Sequence, residues 1–270
     1  MSNPYKVSNP NNMYKSTFQE LVNIAVAESD SYFLREGWEQ PNPFYIGFGN
    51  PNAPLLLIGQ EKAIDATTEQ GKEYMKVEST LNPYQWQKII AEGIDDLGYV
   101  VESPTVFKNP LFPYTEKPKI GNTWNQYQLL TKKLFPELKD YPNSFFTMAF
   151  ITEINHEVSK KKVGNQANPT RKNFMSHSFF KSFPMTIIAA GNYLSDEEIE
   201  ERFDVKRIPG DLSEPNMKLQ VFENQEQQRV VLRTRQLSNF FFNRESRDAY
   251  FDRICECLKK YNRQNSNATV

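Results

Sequence analysis

Histidine and cysteine are scarce in this chain of 270 residues, with two of each. Chemistry that needs an imidazole base must use His156 or His177, and we expect both to be solvated or hydrogen-bonded loop residues rather than catalysts. Cys255 and Cys257 lie two apart on a predicted helix, where their side chains diverge, which excludes a metal knuckle and a redox Cys-x-x-Cys pair. Two thiols are also too few for an iron–sulfur cluster. The sequence predicts no metal and no cofactor.

Long apolar runs and a strong net charge are also missing. No stretch approaches the roughly 18 to 20 consecutive apolar residues of a membrane-spanning helix, and residues 1–16 lack the apolar core of a signal peptide. We therefore expect a cytoplasmic protein with no membrane partner. A formal charge of −1 argues against a chain-wide basic surface, so any nucleic-acid contact must be local. With 39% hydrophobic and 24% charged residues, the composition excludes a disordered or low-complexity chain.

Apolar runs and helical spacings alternate along the chain. Strands are predicted at 54–59, 145–152, 185–190, 218–222 and 229–233, and helices at 16–36, 84–94, from 122 or 123, and at 171–183, 195–203 and 247–261. Residues 60–120 are the least regular, with a Pro-rich stretch at 104–118. The alternation predicts an α/β fold, a three-layer α/β/α sandwich around a mostly parallel sheet of four to five strands. We expect one domain, 16–261, between flexible tails 1–15 and 262–270.

Polar residues follow the carboxyl ends of the predicted strands, where open parallel sheets bind ligands. They are Gly59, Gln60 and Glu61 after the first strand, Asn155 after the second, Gly191 and Asn192 after the third, and Arg235, Gln236 and Ser238 after the last. Gly59-Gln60-Glu61 is the sharpest signal, because a glycine allows a tight turn and a close approach to a ligand while Glu61 reaches the cleft. The triplet fits equally well a plain strand-ending turn with a solvated carboxylate.

Two local basic clusters break the even charge distribution. One consists of residues 160–162 with Arg171 and Lys172, and the other of Arg229, Arg233 and Arg235 with Arg244 and Arg247. Each cluster fits either a solvated face or a phosphate contact beside a strand end.

Taken in order, these strand ends resemble the uracil-DNA glycosylase superfamily. LLLIGQEKA at 55–63 is similar to its first motif, Gly-Gln-Asp-Pro-Tyr-His in the best known branch, which implies that Glu61 is the water-activating carboxylate and Gln60 a positioning residue of the uracil pocket. GNTWNQY at 121–127 resembles a helix start seen in many members, and Asn155 is similar to the asparagine that reads the uracil edge. Residues 187–191 resemble the third strand with its glycine, and 232–238 fall where His-Pro-Ser-Pro-Leu-Ser is expected.

The resemblance spans about residues 50–260 and implies hydrolysis of the N-glycosidic bond of uracil or another deaminated base, with single- or double-stranded DNA as the partner of a monomer. The motifs also differ from the family. Lys62 and Ala63 replace Pro-Tyr, and Arg233 lies where the family's histidine steadies the departing uracil anion. In this interpretation Glu61 and Arg233 are the catalytic pair and must face one cavity, and Arg233 or Arg235 supplies the positive charge.

Two other functions stay open from the residues alone. The first is a non-catalytic relative that binds nucleic acid or a partner protein through the same cleft. The second is an enzyme that acts on a nucleoside or nucleotide, for which the near-neutral charge is natural.

Overall fold

The computed structural model describes residues 14–93, 111, 122–138, 145–158, 167–209, 218–237 and 244–262. In these residues the helices are α1 (Ser16–Glu36), α2 (Glu69–Met75), α3 (Asn82–Glu92), α4 (Asn122–Leu134), α5 (Phe145–Met148), α6 (Pro169–Phe174), α7 (Ser178–Lys181), α8 (Asp196–Phe203) and α9 (Arg244–Asn262). A π-helix, Lys76–Thr80, joins α2 to α3, and a 3₁₀ turn, Gly191–Tyr193, precedes α8. The strands are β1 (Phe48–Gly49), β2 (Leu55–Gly59), β3 (Ala149–Glu153), β4 (Met185–Ile188), β5 (Lys206–Arg207), β6 (Gln220–Asn224) and β7 (Arg229–Arg233).

The strands form one sheet in the order β1-β3-β2-β4-β7-β6-β5. The inner strands β3, β2, β4 and β7 are parallel, whereas β1 pairs with β3, β6 with β7, and β5 with β6 in antiparallel orientation. Every residue of β2 is buried, as its continuous apolar run predicts for a central parallel strand. The chain passes from β2 to β3 on one side and then to β4 on the other, so strand order reverses between β2 and β4.

The α/β class is confirmed, but the prediction of a mostly parallel sheet of four to five strands is wrong. The described residues form a mixed sheet of seven strands. Only residues 225–228 separate β6 from β7, and a parallel pair needs a crossover of about a dozen residues or more, so this pair must be antiparallel. The strands β1 and β5 are two residues long, which is too short to produce a period in the sequence.

Helices cover both faces of the sheet. On one face Phe150 of β3 contacts aromatic rings of α1 and α7, with Phe18 at 6.2 Å and Phe179 at 5.3 Å between ring centroids. Side chains alternate along a strand, so Ile151 points to the opposite face, together with its partner Phe48 in β1. Phe48 lies 5.7 Å from Trp124 of α4, and α4 packs against α9. The three-layer arrangement follows from these two contacts.

Several helix boundaries differ from the prediction. The helix α1 has its predicted bounds, but 171–183 is divided into α6 and α7, because the His177 side chain accepts a hydrogen bond from the backbone of Phe179 and starts a new helix there. The predicted strand 145–152 begins with the one-turn helix α5. Residues 69–80, expected to be irregular, are helical. The Pro-rich stretch 104–118 lies outside the described residues except for Leu111, which is buried.

None of the helices in the described part of the chain is both long enough and apolar enough to cross a membrane. The expected cytoplasmic location stays a prediction. The single domain and the two flexible tails also stay predictions, and most residues of the tails lie outside the described ranges. Tyr14, in the predicted N-terminal tail, is buried against Phe18 and Trp86.

Candidate active site

A cavity of about 280 Å³ lies at the carboxyl ends of β2 and β3, and we call it the edge cavity. It is lined by residues at or just after the ends of β2, β3 and β7 and by residues of α2, the π-helix and α4: Gly59, Gln60, Glu61, Lys62, Ala63, Ile64, Tyr74, Glu78, Thr123, Trp124, Tyr127, Glu153 and Gln236. It adjoins the point where strand order reverses, which is where open α/β sheets place their ligands. The structure therefore brings four predicted site residues together here: Gly59, Gln60, Glu61 and Gln236.

Glu61 is held in place from the neighbouring strand end. Tyr193, in the 3₁₀ turn after β4, donates its hydroxyl proton to Glu61 Oε2 at 2.6 Å. Burial and the bond to Glu61 raise the pKa of Tyr193, so its hydroxyl keeps the proton that it donates. Only one carboxylate oxygen of Glu61 is engaged by this bond, which leaves the other for a water or a ligand.

A buried ion pair closes one side of the edge cavity. Lys62 Nζ lies 2.8 Å from Glu153 Oε2, and both side chains are less than a tenth exposed. Tyr45 donates its hydroxyl proton to the same Glu153 oxygen, and the Lys62 ammonium lies 3.5 Å from the centre of the Tyr45 ring. Burial lowers the pKa of Lys62, and the Glu153 carboxylate opposes that change. The ammonium is therefore held by the Glu153 carboxylate and the Tyr45 ring.

Arg171, a member of the first basic cluster, is buried beside this ion pair and does not reach the surface to bind phosphate. Its side chain is completely buried, and its guanidinium donates to the carbonyl oxygens of Glu153 and Tyr45 and to Thr152 Oγ1. Lys172, from the same basic cluster, pairs with Glu198 at 2.7 Å. Residues 160–162 of this cluster lie outside the described residues.

Glu78 brings a second carboxyl group to the edge cavity. It lies on the π-helix between α2 and α3, and the residue is 9% exposed. Among the described residues it has no hydrogen-bond partner. Burial raises the pKa of Glu78 to about 7, although the nearby Lys62 ammonium acts to lower it. No feature of the sequence pointed to Glu78, because only the wider winding of a π-helix turns it toward the cavity, and such turns recur at functional sites.

Aromatic rings and an unpartnered hydroxyl form the rest of the lining. Tyr74 and Trp124 line the edge cavity, and Tyr127 OH is buried with no hydrogen-bond partner in the part of the chain that the structure describes. Burial raises the pKa of Tyr127, so this hydroxyl remains a donor. A Cβ atom at position 59 would lie 3.0 Å from Tyr127 OH, so Gly59 is needed for this close approach rather than for an unusual backbone angle.

Arg233 does not line the edge cavity. Its guanidinium pairs with the Asp196 carboxylate at the start of α8 and donates to the Leu194 carbonyl oxygen at 2.8 Å, while its Nε contacts Gln220. It faces a separate, open depression of about 720 Å³, which Asn192 also lines. The expected convergence of Glu61 and Arg233 on one cavity is therefore not found. The physical reason is that Asp196 offers Arg233 a closer carboxylate than Glu61 does.

The remaining predicted residues lie near these strand ends without lining the edge cavity. Asn155 is buried, and its backbone N–H donates to the Gln60 carbonyl oxygen at 2.9 Å. Gly191 donates its N–H to the Thr234 carbonyl oxygen at 3.0 Å and has a φ of +60°, a conformation that suits glycine. Both residues shape the backbone around the site.

Arg235 and Ser238 complete the predicted set. Arg235 is half-buried and lies close enough to Tyr250 for its charge to oppose the rise in that residue's pKa that burial causes. Ser238 lies outside the described residues.

The histidines and cysteines do not form a metal site in the described part of the chain. No group of three or more His, Cys, Asp or Glu side chains there is arranged to hold a metal ion. Cys255 and Cys257 are buried in the core, and burial raises the pKa of the Cys255 thiol to about 12. His156 is also buried, its Nδ1 has no hydrogen-bond partner among the described residues, and burial lowers its pKa to about 4.

Comparison of the chain with protein-family models, with curated proteins and with solved structures finds no match in any of the three. Any function must therefore be argued from the edge cavity itself.

Proposed function

We propose that the protein hydrolyses an N-glycosidic bond, with a nucleobase bound in the edge cavity and Glu61 beside the reacting sugar carbon. The single observation that carries the proposal is the position of Glu61, held by Tyr193 at the rim of a cavity with aromatic walls. The resemblance of residues 55–63 to the first motif of the uracil-DNA glycosylase superfamily supports the same role for Glu61. Four adjacent parallel strands between two helical layers are in keeping with a glycosylase-like fold.

Glu61 has the chemistry that this bond cleavage requires. Cleavage of a base–sugar bond passes through a transition state with positive charge on the sugar, as in glycoside hydrolysis generally. A carboxylate at the rim stabilises this charge and accepts a proton from the attacking water. Tyr193 fixes one oxygen of Glu61, so the other keeps a constant direction toward the sugar.

The cavity lining suits a flat heterocycle with polar edges. Trp124 and Tyr74 line the cavity with aromatic side chains, and stacking of a base on such a ring is worth about 1–3 kcal/mol per base in proteins that bind single strands. Tyr127 OH is a buried donor that finds no partner among the residues described, and the Gln60 and Gln236 amides can both donate and accept. These groups give a base edge several hydrogen bonds in a site of limited size.

The substrate that carries the base is proposed to be DNA, as the resemblance implies. A free nucleoside is the second candidate. Of the described residues that line the edge cavity, Glu61, Glu78 and Glu153 carry carboxyl groups and Lys62 alone is a cation, and phosphates bind poorly beside such an excess of carboxyl groups. Arg229 and Arg233 of the second basic cluster are paired with Asp204 and Asp196.

The test is base release from both kinds of substrate. Oligonucleotides that contain uracil, hypoxanthine, xanthine or adenine, in single and double strands, are incubated with the protein in parallel with the corresponding free nucleosides. We expect release by the wild type, and a loss of at least about 10²-fold in Glu61→Gln but not in Glu92→Gln, an exposed residue at the end of α3. Binding without release would favour the non-catalytic relative. Neither binding nor release from any substrate would overturn the proposal.

A further inference from the structure

The edge cavity contains two carboxyl groups in different environments. Glu61 lies at the rim and accepts a hydrogen bond from Tyr193, whereas Glu78 is buried, faces the same cavity and has no partner among the described residues. A pair of carboxyl groups that differ in this way is the arrangement that glycoside-hydrolysing sites use, one group as the acid and the other as the base or charge stabiliser.

Among the residues that the structure describes, no unpaired cation lines the edge cavity to assist the departure of the base. Arg233 is held by Asp196 outside the edge cavity, and the Lys62 ammonium is held by Glu153. An anionic leaving base would have to compete with the Glu153 carboxylate for the Lys62 ammonium. Departure as a neutral molecule avoids this competition and requires a proton donor on the base side of the bond.

We propose that Glu78 is the general acid of this site and that the site takes a base with a protonatable ring nitrogen, of the purine kind, rather than uracil. This inference rests on the proposed function, because it assigns the second half of the same reaction. A purine ring nitrogen accepts a proton much more readily than a uracil carbonyl oxygen does. A general acid therefore assists the departure of a purine and gives little assistance to the departure of uracil.

The carboxylic acid of Glu78 gives its proton to a ring nitrogen of the base, the C–N bond to the sugar breaks, and its electron pair stays on the base nitrogen. Water forms the new C–O bond to the sugar carbon and loses its proton to Glu61. The products are a neutral base and a sugar with a hydroxyl group at that carbon. Proton exchange with solvent then returns Glu78 to its acid form and Glu61 to its carboxylate.

The groups around Glu78 are consistent with its acid form near neutral pH. Lys62 favours the charged form, Glu153 opposes it, and burial opposes it more strongly than Lys62 favours it. The other titratable side chains that line the cavity are Glu61, Tyr74 and Tyr127. Lys62 is itself neutralised by Glu153 at 2.8 Å, which limits its effect on Glu78.

The experiment is a pH profile of base release from pH 5 to 9 for the wild type, Glu78→Gln, Glu61→Gln and the control Glu92→Gln. Substrates carry adenine, hypoxanthine, 7-deazaadenine or uracil, as free nucleosides and in oligonucleotides. We expect the wild type to release the two natural purines fastest, with a rate that falls as pH rises through about 7. Glu78→Gln should release these purines roughly 10²- to 10⁴-fold more slowly than the wild type, and its rate should no longer fall as pH rises through about 7. The 7-deaza analogue, which lacks one protonatable nitrogen, should be released slowly by both proteins.

The outcomes separate the inference from the proposed function. The inference would be overturned by equal rates of release of uracil and purines, or by a Glu78→Gln protein with the wild-type rate and pH profile. In either case, base release that depends on Glu61 would still support the proposed function. No release by the wild type from any substrate would overturn both. A difference infrared spectrum between pH 6 and pH 8 adds a readout that is independent of turnover, because the carbonyl band of a protonated carboxyl group should be lost over this range in the wild type and not in Glu78→Gln. The absence of that band would also overturn the inference.

Discussion

Tyr193 and Glu61 join the carboxyl ends of β4 and β2 through a hydrogen bond of 2.6 Å, at the place where the strand order reverses. The tyrosine comes from a 3₁₀ turn 132 positions after the glutamate. The orientation of the proposed catalytic carboxylate therefore depends on a residue from a distant part of the chain.

Removal of the Tyr193 hydroxyl should weaken catalysis without unfolding the protein. In Tyr193→Phe the ring still fills its buried position, but Glu61 loses the donor that orients it. A hydrogen bond to a charged group contributes about 1.5–3 kcal/mol, so we expect kcat for base release to fall by about tenfold or more. Steady-state kinetics check this, with the thermal unfolding midpoint as the control. An unchanged kcat would show that Glu61 does not need this contact.

The Lys62–Glu153 ion pair should be costly to break from one side. Lys62→Met leaves the Glu153 carboxylate buried without its cation and should lower the free energy of unfolding by about 3–5 kcal/mol. The double variant Lys62→Met/Glu153→Gln removes both charges and should recover part of this loss. Urea denaturation of the two single variants and the double variant measures the coupling.

Lys72→Met serves as the matched control, because Lys72 pairs with Glu69 on the surface at the same distance of 2.8 Å and should contribute little. Simple additivity of the Lys62 and Glu153 substitutions would contradict the assigned coupling.

Glu78 should make the protein less stable as pH rises. Its pKa is raised from 4.5 to about 7 in the folded state, so between these values the folded protein binds more protons than the unfolded chain. The free energy of unfolding must therefore fall by about 3 kcal/mol as pH rises across this range. Above about pH 7 the contribution of Glu78 no longer changes with pH. Glu78→Gln should lose this slope, and Glu92→Gln should keep it. Urea denaturation at a series of pH values gives the comparison.

His156 should act in the opposite direction. Burial lowers its pKa from 6.5 to about 4, so as pH falls through this range the unfolded chain binds a proton that the folded protein does not. The free energy of unfolding should decrease toward acid by about 3 kcal/mol on this account. The two slopes oppose each other between about pH 4.5 and 6.5, so a Glu78→Gln protein should reveal the His156 slope. A further His156→Gln substitution should abolish it, and persistence of the slope would mean that other groups cause it.

Arg233 should matter for stability and not for turnover. Its guanidinium joins the end of β7 to the start of α8 through Asp196, and it faces a depression separate from the edge cavity. Arg233→Met should lower the unfolding midpoint, and kcat for base release should stay within about twofold of the wild type. If Arg233 instead stabilised the departing base, the loss in kcat would be about 10²- to 10³-fold.

Much of the architecture could be predicted because it follows from local patterns. The run 54–59 is apolar throughout and ends in glycine, which identifies a central parallel strand and places Gln60 and Glu61 at its carboxyl end. The start of α8 could be predicted for a similar reason, since Ser195 and Glu198 cap each other within a single turn.

The mixed character of the sheet was harder to predict. Two-residue strands such as β1 and β5 are too short to show an alternation of apolar and polar residues. Their pairing depends on the longer strand that lies next to each of them in the folded sheet. The division of 171–183 into α6 and α7 depends on His177, whose side chain caps a helix only when the turn before it has formed.

The amino-acid sequence by itself determined the α/β class, the buried central strand and the delivery of Glu61 to its end, because each depends on neighbours within a few residues. Only the tertiary structure decided which charges meet. In the folded protein Arg233 pairs with Asp196 and Lys62 pairs with Glu153. Glu78 lines the cavity and has no hydrogen-bond partner within the described ranges. Electrostatic pairing and desolvation depend on distances in space, and those distances arise when segments far apart in the chain pack together.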